Sequence, residues 1–281
     1  MTVQRIAAFS DGNNGGNPAG VLIDDEHPSQ EKMQSIAADI GYSETAFAMP
    51  DNTTADSDAW RVRYFSPETE VPFCGHATIA LGAALAQHKG DGVYKLKLND
   101  ADITVEGLAQ GQLYSAALQS PPTFSKPADE KLISSLQSLF GIKNKSLDER
   151  VPVGFAHAGA NHAIIMLNSR EALAAMSYDL NEGRKMMTES DLITVLLGYA
   201  ETPQLIHTRN PFASGGVYED PATGAATAAL AGYLRDLKWP HGGQLEVIQG
   251  EDMGSKSLLN ATFTDEIGSS IRVSGTTRSI Q

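Results

Sequence analysis

Three titratable residues stand out by their surroundings: Glu44 in GYSETAF, His76 in CGHAT and Asp220 in YEDPATG. Carboxylate and imidazole side chains are the groups that most often move protons in enzymes working near neutral pH. His76 lies at the start of an alanine-rich segment, Asp220 lies shortly before another, and Glu44 leads into an apolar run. These three residues are therefore the candidate acid/base groups of the chain.

A glycine opens each alanine-rich segment: Gly75 in GHATIALGAAL and Gly224 in GAATAALAGYL. If the segments are helices, the first turn of each carries backbone N–H groups without intrahelical partners and a partial positive charge. Helix N-termini of this kind bind anions, and a glycine lets the ligand approach the backbone closely. The two glycines thus predict binding of a small carboxylate or an enolate-like intermediate.

The segments His76–Gln87 and Ala225–Leu237 are small and apolar on nearly every side. A helix without a polar face is one that protein surrounds, so we predict that a sheet closes around each. Two amphipathic surface helices, ended by Gly41 and Gly141, are also predicted. Elsewhere, short strand-like runs alternate with turn residues, which favours antiparallel pairing.

Two stretches of the chain repeat in the same order. GGNPAGVLI (15–23) resembles GANHAIIML (159–167), and the segment after Gly75 resembles the one after Gly224. The repeat indicates an ancestral duplication. We predict an α+β fold of two pseudo-symmetric domains, each an antiparallel barrel-like β-sheet wrapped around a central α-helix. The first domain comprises 1–118, completed by the C-terminal strand 270–281, and the second comprises 119–269.

The composition excludes several function classes. With 21 basic and 34 acidic residues the formal net charge is −13, which disfavours nucleic acid and anionic membranes as partners. The single cysteine excludes an intrachain disulfide and fits a reducing compartment. The N-terminus lacks the long apolar core of a signal peptide, so we expect a soluble, cytoplasmic protein.

The motifs GGNPAGV, SETAF, FSPETEVPFCGHAT and GVYEDPATGAA follow one another over most of the chain. In order and spacing they resemble the phenazine-biosynthesis PhzF-like isomerase family. This resemblance implies the diaminopimelate epimerase fold, in which two domains of similar topology hold the active site between them. It also implies a homodimeric isomerase that acts on a small carboxylate substrate without metal or organic cofactor.

The resemblance further implies that Glu44 removes a proton from one carbon and returns a proton elsewhere on the substrate. His76 and Asp220 match the family residues that position and polarise the substrate, and the backbone at Gly75 and Gly224 matches the part that holds its carboxylate. The best-known family reaction isomerises dihydro-3-hydroxyanthranilate. We also expect Asn17, which ends the glycine-rich turn GNNGG, to border the site.

Ala225 departs from the family pattern, because a serine commonly follows the TG of this motif. The loss of that hydroxyl group puts the anthranilate substrate in question more than the chemistry.

Two alternatives to the isomerase stay open. Cys74, at a helix start, is typical of cysteine-dependent racemases, epimerases or dehydratases, although Thr223 stands where a second cysteine would be needed. The other alternative is a non-catalytic protein that kept the ligand-binding cleft of the family but does not turn over a substrate.

Overall fold

The computed structural model describes residues 2–54 and 58–280. Sixteen strands make up most of its regular structure. They are β1 (Gln4–Ala8), β2 (Asn17–Ile23), β3 (Thr45–Pro50), β4 (Ala59–Phe65), β5 (Glu70–Val71), β6 (Gly92–Lys97), β7 (Asp102–Gln110), β8 (Leu113–Gln119), β9 (Phe124–Pro127), β10 (Gly154–His157), β11 (Asn161–Leu167), β12 (Thr194–Ala200), β13 (Leu205–Arg209), β14 (Gln244–Gln249), β15 (Ser257–Thr262) and β16 (Arg272–Ser279).

Helices connect some of these strands. They are α1 (Gln30–Ile40), α2 (Gly75–Lys89), α3 (Glu130–Phe140), α4 (Arg170–Ala174), α5 (Leu180–Glu189) and α6 (Gly224–Asp236). Two of them, α1 and α3, are the amphipathic helices expected from the sequence. Side chains at their N-caps, Ser29 and Asp129, accept hydrogen bonds from the first turn, and left-handed glycines end both helices. No helix in the described ranges is both long and apolar enough to cross a bilayer.

The chain divides into two compact units. Unit 1 is Met1–Gln119 with Ser274–Gln281, and unit 2 is Ser120–Val273. In unit 1 the strand order is β1-β2-β3-β4-β6-β7-β8-β16, and pairing of β1 with β16 closes the sheet into a barrel. In unit 2 the strands β9 to β15 follow one another in sequence order within the sheet.

Each unit wraps its sheet around one buried helix, which confirms the predicted α+β fold class. In unit 1, α2 is buried continuously from His76 to Ala86 and contacts β1, β2, β3, β6, β7 and β8. In unit 2, α6 is buried continuously from Ala226 to Arg235 and contacts β9 to β12 and β15.

Most of the strand pairs that the structure describes are antiparallel, as expected, but four of them are parallel, and there the expectation is wrong. The parallel pairs are β2–β3, β4–β6, β11–β12 and β13–β14. Parallel neighbours need a crossover connection, which here contains a helix in every case: α1, α2, α4 with α5, and α6 respectively. The sequence pattern predicts no helix between β11 and β12, and for that crossover the prediction is wrong.

Close contact between α2 and the sheet requires glycine at two positions. A Cβ atom on Gly107 of β7 would lie 2.2 Å from the carbonyl oxygen of Gly82 in α2. A Cβ atom on Gly82 would in turn lie 2.5 Å from Cγ2 of Val105. Both distances are far below van der Waals contact, so any larger residue would force helix and strand apart.

This contact generates a stability prediction. Gly107→Ala should lower the free energy of unfolding by about 1–3 kcal/mol, because the added methyl group meets helix backbone that must shift. Gly92→Ala in the neighbouring β6 is the matched control, since its Cβ atom would meet only the Tyr94 ring at 3.8 Å and beyond. Urea unfolding of both variants measures the difference, and equal stabilities would contradict the packing argument.

Candidate active site

Glu44 is held by the backbone at the start of β3. Helix α1 ends at Gly41, whose φ of 71° turns the chain toward β3. The N–H of Gly20 in β2 donates to the carbonyl oxygen of Glu44 at 3.2 Å, and Thr45 then pairs with Gly20. The carboxylate side chain is left only 16% exposed.

His76, the second residue of α2, lies beside this carboxylate. Its side chain is 8% exposed, and Nε2 lies 3.5 Å from Oε2 of Glu44. The Ser43 hydroxyl group lies 3.3 Å from the same nitrogen. On the other side of the ring, Nδ1 is 3.3 Å from Sγ of Cys74. The imidazole therefore stands between a thiol and a carboxylate.

These three side chains also meet a simple proximity test for metal binding. Glu44, Cys74 and His76 each offer a ligand atom, and the three atoms lie within 4.8 Å of one another. The sulfur, however, is closer to Nδ1 of His76 than to Nε2, at 3.3 Å against 4.0 Å, whereas the carboxylate lies against Nε2. A tetrahedral ion bound to one ring nitrogen would need both other ligands about 3.5 Å from that nitrogen. From Nε2 the carboxylate oxygen lies at 3.5 Å and the sulfur at 4.0 Å, so the thiol and the carboxylate approach different nitrogens of the ring.

A hydrogen-bond brace fixes the first turn of α2. Tyr64 OH lies 2.7 Å from the Thr78 hydroxyl group, which donates to the carbonyl oxygen of Cys74 at 2.7 Å. The N–H of Thr78 donates to the same oxygen at 3.0 Å. Burial raises the pKa of Tyr64, so its hydroxyl group stays protonated and serves as a donor. The brace sets where Cys74, and with it His76, must lie.

Gly75 leaves the N-terminus of α2 open. Its φ is not in the left-handed region, and a Cβ atom there would meet only the Phe73 ring, at 4.0 Å, among the described residues. Neither backbone conformation nor packing therefore requires glycine here. The absence of a side chain leaves room beside Gly75 at the start of the helix, where the N–H groups precede the first i to i−4 bond from Thr78.

Asn17 is brought to the same end of the unit 1 sheet as Glu44. It begins β2 and is only 2% exposed. Since β2 and β3 run parallel, their N-terminal ends lie at one edge, where Glu44 precedes β3. The structure thus places Asn17 at the same end of the unit 1 sheet as Glu44, at a position where its polar side chain is buried.

In unit 2, Asp220 is tied to the start of α6. Its N–H donates to the carbonyl oxygen of Asn210 at 3.0 Å, and the Thr223 hydroxyl group donates to its Oδ2. The side-chain amide of Gln249 donates to the carbonyl oxygen of Asp220 at 2.7 Å. Gly224 is buried at the helix start, and Ala225 follows it, partly exposed.

Behind Asp220 lies a chain of buried polar side chains. Asn210 Nδ2 donates to Thr223 Oγ1 at 2.6 Å, and Asn210 Oδ1 accepts from the Thr194 hydroxyl group at 3.2 Å. Thr194 Oγ1 in turn lies 2.7 Å from Nδ1 of His162. His162 is fully buried, and this burial lowers its pKa to about 3, so its ring is neutral.

An arginine–glutamate pair anchors the segment that leads into each central helix. Arg63 of β4 donates from Nε to Glu70 at 2.7 Å, and Arg209 of β13 donates from Nε to Glu219 at 3.0 Å. Both pairs are joined by a second, parallel hydrogen bond from Nη2. The hydrogen bonds from Arg63 hold the pKa of Glu70 below its ordinary value.

Sequence reasoning singled out neither these glutamates nor the buried chain. The signal for the glutamates was available, because Glu70 and Glu219 each stand five residues before the helix glycine, Gly75 or Gly224, and each follows an arginine. The chain of His162, Thr194 and Asn210 has no such local signal. Its members come from three strands or strand ends and meet only when the sheet forms.

Comparisons with known proteins agree with the fold and motifs. Residues 6–280 match the family described as phenazine biosynthesis-like protein. The chain is 31% identical over 281 residues to trans-2,3-dihydro-3-hydroxyanthranilate isomerase of Pseudomonas aeruginosa, covering 96% of this chain and 94% of that protein. It is 27% identical over 292 residues to an uncharacterized isomerase of Bacillus subtilis, YfhB, covering 98% and 94%.

A solved structure shows the same fold. The PhzF-family phenazine biosynthesis protein of Bacillus anthracis matches with a TM-score of 0.85 at 21% identity, covering 100% of this chain and 98% of that one. The fold is therefore that of the PhzF-like, diaminopimelate epimerase-like α+β proteins. The chain belongs to the phenazine biosynthesis-like protein family, whose relatives are named isomerases, and the predicted resemblance is confirmed.

The two anchoring pairs differ in burial, which generates a matched prediction. The Arg209 and Glu219 side chains are 9% and 4% exposed, against 19% and 21% for Arg63 and Glu70. Glu219→Gln should lower the free energy of unfolding by about 3 kcal/mol, because it removes the bidentate counter-charge of a buried guanidinium and leaves only Asp252, at 3.9 Å from Nε, as a neighbouring carboxylate. Glu70→Gln should cost about 1 kcal/mol or less. Urea unfolding near neutral pH compares them; a larger loss for Glu70→Gln would contradict the assignment.

Burial of neutral His162 predicts a pH dependence of stability. Between its folded pKa of about 3 and an unfolded value of about 6.5, the unfolded chain binds a proton that the folded chain excludes. The free energy of unfolding should therefore fall as pH drops below about 6.5, with a contribution of about 1.4 kcal/mol per pH unit. His162→Gln should lose this contribution, giving a flatter profile in urea titrations between about pH 7 and pH 5. Parallel profiles for the two proteins would refute it.

Proposed function

We propose that this protein is an isomerase that moves a proton on a small carboxylate-bearing substrate, with Glu44 as general acid/base and without metal or organic cofactor. The carrying observation is the contact between a largely buried Glu44 carboxylate and His76, 3.5 Å apart at the N-terminus of α2. The family assignment supports the reaction class, since a relative is a trans-2,3-dihydro-3-hydroxyanthranilate isomerase.

The proposed reaction needs only side chains and backbone. The Glu44 carboxylate takes a proton from a substrate carbon next to a conjugating group, and the electron pair left behind delocalises toward the substrate carboxylate. The resulting enolate-like charge is stabilised by the N–H groups of the first turn of α2, which open space at Gly75 leaves accessible. Glu44 then returns the proton to a different carbon, so the net change is an isomerisation.

His76 has the geometry to assist that transfer. As a donor from Nε2 it can hold the Glu44 carboxylate in place, with Ser43 sharing the same nitrogen at 3.3 Å. We assign Asp220 to positioning the substrate, with the backbone of Gly224 and Ala225 beside it at the start of α6. Asn17 is assigned to the border of the site from its buried place at the start of β2.

A second candidate is favoured by one observation, the 3.3 Å contact between Cys74 Sγ and His76 Nδ1. A thiolate beside an imidazole at a helix N-terminus is a competent base, as in thiol-dependent racemases and epimerases. The corresponding residue of unit 2 is Thr223, whose hydroxyl group is engaged with Asp220. A one-thiol epimerase would therefore have to use Glu44 or water as its second acid.

Deuterium incorporation tests the leading proposal. The enzyme is incubated in heavy water with trans-2,3-dihydro-3-hydroxyanthranilate and, in parallel, with a pool of small carboxylate metabolites, and mass spectrometry reads out the label. Glu44→Gln should lower the incorporation rate by at least about 100-fold, because the side-chain amide of glutamine cannot take up and return the transferred proton. Glu26→Gln, an exposed carboxylate outside the site, is the control and should retain the wild-type rate.

Cys74→Ser separates the two candidates in the same assay. Under the glutamate proposal this variant keeps most of its exchange activity, whereas under the thiol alternative it loses it. Full activity of Glu44→Gln together with an inactive Cys74→Ser would overturn the assignment of Glu44. Absence of label from every carboxylate tested, with wild-type protein that binds them, would support a non-catalytic binding protein instead.

A further inference from the structure

In unit 2, a chain of hydrogen bonds runs from His162 through Thr194, Asn210 and Thr223 to Asp220, and every donor in it points toward Asp220 or toward the next acceptor in one consistent order. We propose that Thr223 and Asn210 are positioning residues that hold the Asp220 carboxylate in one orientation as a hydrogen-bond acceptor. The inference extends the proposed function, since it takes Asp220 as a residue of the site, but the arrangement can be tested without any substrate.

The hydrogen and lone pairs of the Thr223 hydroxyl group determine which residue donates to Asp220. Its Oγ1 accepts from the amide nitrogen of Asn210 at 2.6 Å and from that of Gln249 at 3.0 Å. A hydroxyl group has one hydrogen and two acceptor lone pairs, so both lone pairs are used. Its only hydrogen is left to donate, and the acceptor in place is Oδ2 of Asp220. Asp220 therefore receives this bond as an acceptor.

The same count continues to the far end of the chain. Since Nδ2 of Asn210 donates to Thr223, its Oδ1 faces Thr194 and accepts from that hydroxyl group at 3.2 Å. Thr194 has then used its hydrogen, so it accepts from His162, whose Nδ1 lies 2.7 Å away and must carry the proton. The other ring nitrogen of His162 is buried and has no hydrogen-bond partner in the described ranges.

Burial makes this arrangement rigid. His162 and Asn210 are 0% exposed, Thr194 is 1% exposed, and Gln249, which braces Thr223 from β14, is 0% exposed. Water cannot replace a lost partner at such depth, so each donor and acceptor among these residues specifies the next one, and the chain reaches partly buried side chains only at Thr223 and Asp220. The chain starts at the neutral imidazole of His162, which has no further hydrogen-bond partner in the described ranges, so it cannot pass protons along. We therefore expect it to fix the orientation of the Asp220 carboxylate before α6.

Thr223→Val removes the terminal donor with almost no change in shape. Thr223→Ser keeps the hydroxyl group and should restore the arrangement. The matched control is Thr227→Val, one turn further along α6, because the Thr227 hydroxyl group is buried and has no partner among the described residues. Asn210→Leu tests the next link, since it leaves Thr223 with only the Gln249 donor.

Carbon-13 NMR of the Asp220 carboxyl group, assigned with Asp220→Asn, gives the substrate-free readout. We expect its resonance to shift in Thr223→Val and, less, in Asn210→Leu, and to stay in place in Thr223→Ser and Thr227→Val. In the deuterium assay, Thr223→Val should lower kcat by about 100-fold, as expected for a displaced positioning group, with Thr223→Ser near wild type. Thermal unfolding of every variant checks that the domain is folded.

The outcomes are separable. An unchanged Asp220 resonance in Thr223→Val, or an equal shift in Thr227→Val, would overturn the positioning role. A shift in Thr223→Val with none in Asn210→Leu would overturn the part assigned to Asn210. If wild-type protein labels no substrate, the proposed isomerase function fails, while the NMR comparison still decides whether Asp220 is held by this chain.

Discussion

A helix inside a closed sheet is the constraint on which the rest of unit 1 depends. The sheet can close around α2 only if the helix is thin, and the backbone of α2 at Gly82 lies directly against Gly107 of β7. The apolar alanines along α2 then remove every polar group from the helix except those at its ends. The polar side chains of α2 are therefore confined to its two ends, and Cys74, Gly75 and His76 lie at the N-terminal one.

Both units keep this architecture, but they carry different residues at the start of the central helix. Both use an arginine–glutamate pair before the helix and a glycine as its first residue. Where unit 1 has His76, unit 2 has Ala225, and where unit 1 has Cys74, unit 2 has Thr223. The strand register shows a similar difference: Thr45 pairs with Gly20, whereas Leu196 pairs with Ile164, so the position that matches Glu44 carries Val195. One half supplies a candidate base, and the other a fixed acceptor.

Three titratable residues, Glu219, His162 and Glu44, differ in how deeply they are buried and in whether a charged partner accompanies them. Glu219 is buried in an ion pair with Arg209, and breaking such a pair by removing one partner is strongly destabilising. His162 is buried without a charge partner and stays neutral, since burial lowers its pKa. Glu44 is neither fully buried nor paired with a permanent cation, and its neighbour His76 is itself titratable. Glu44 and His76 are thus the contact on which the proposed proton transfer depends.

The amino-acid sequence by itself determined the central helices, the fold class and the identity of the motif residues. Helices without a polar face had to be enclosed, and repeated motifs indicated two similar halves, because both signals are local or in register along the chain. The parallel crossovers and the partners of His76 and Asp220 were decided only by tertiary structure. Ser43 meets His76, and His162 meets Asp220 through Thr194, Asn210 and Thr223, because strands distant in sequence become neighbours. No periodicity encodes which polar side chains those neighbours bring together.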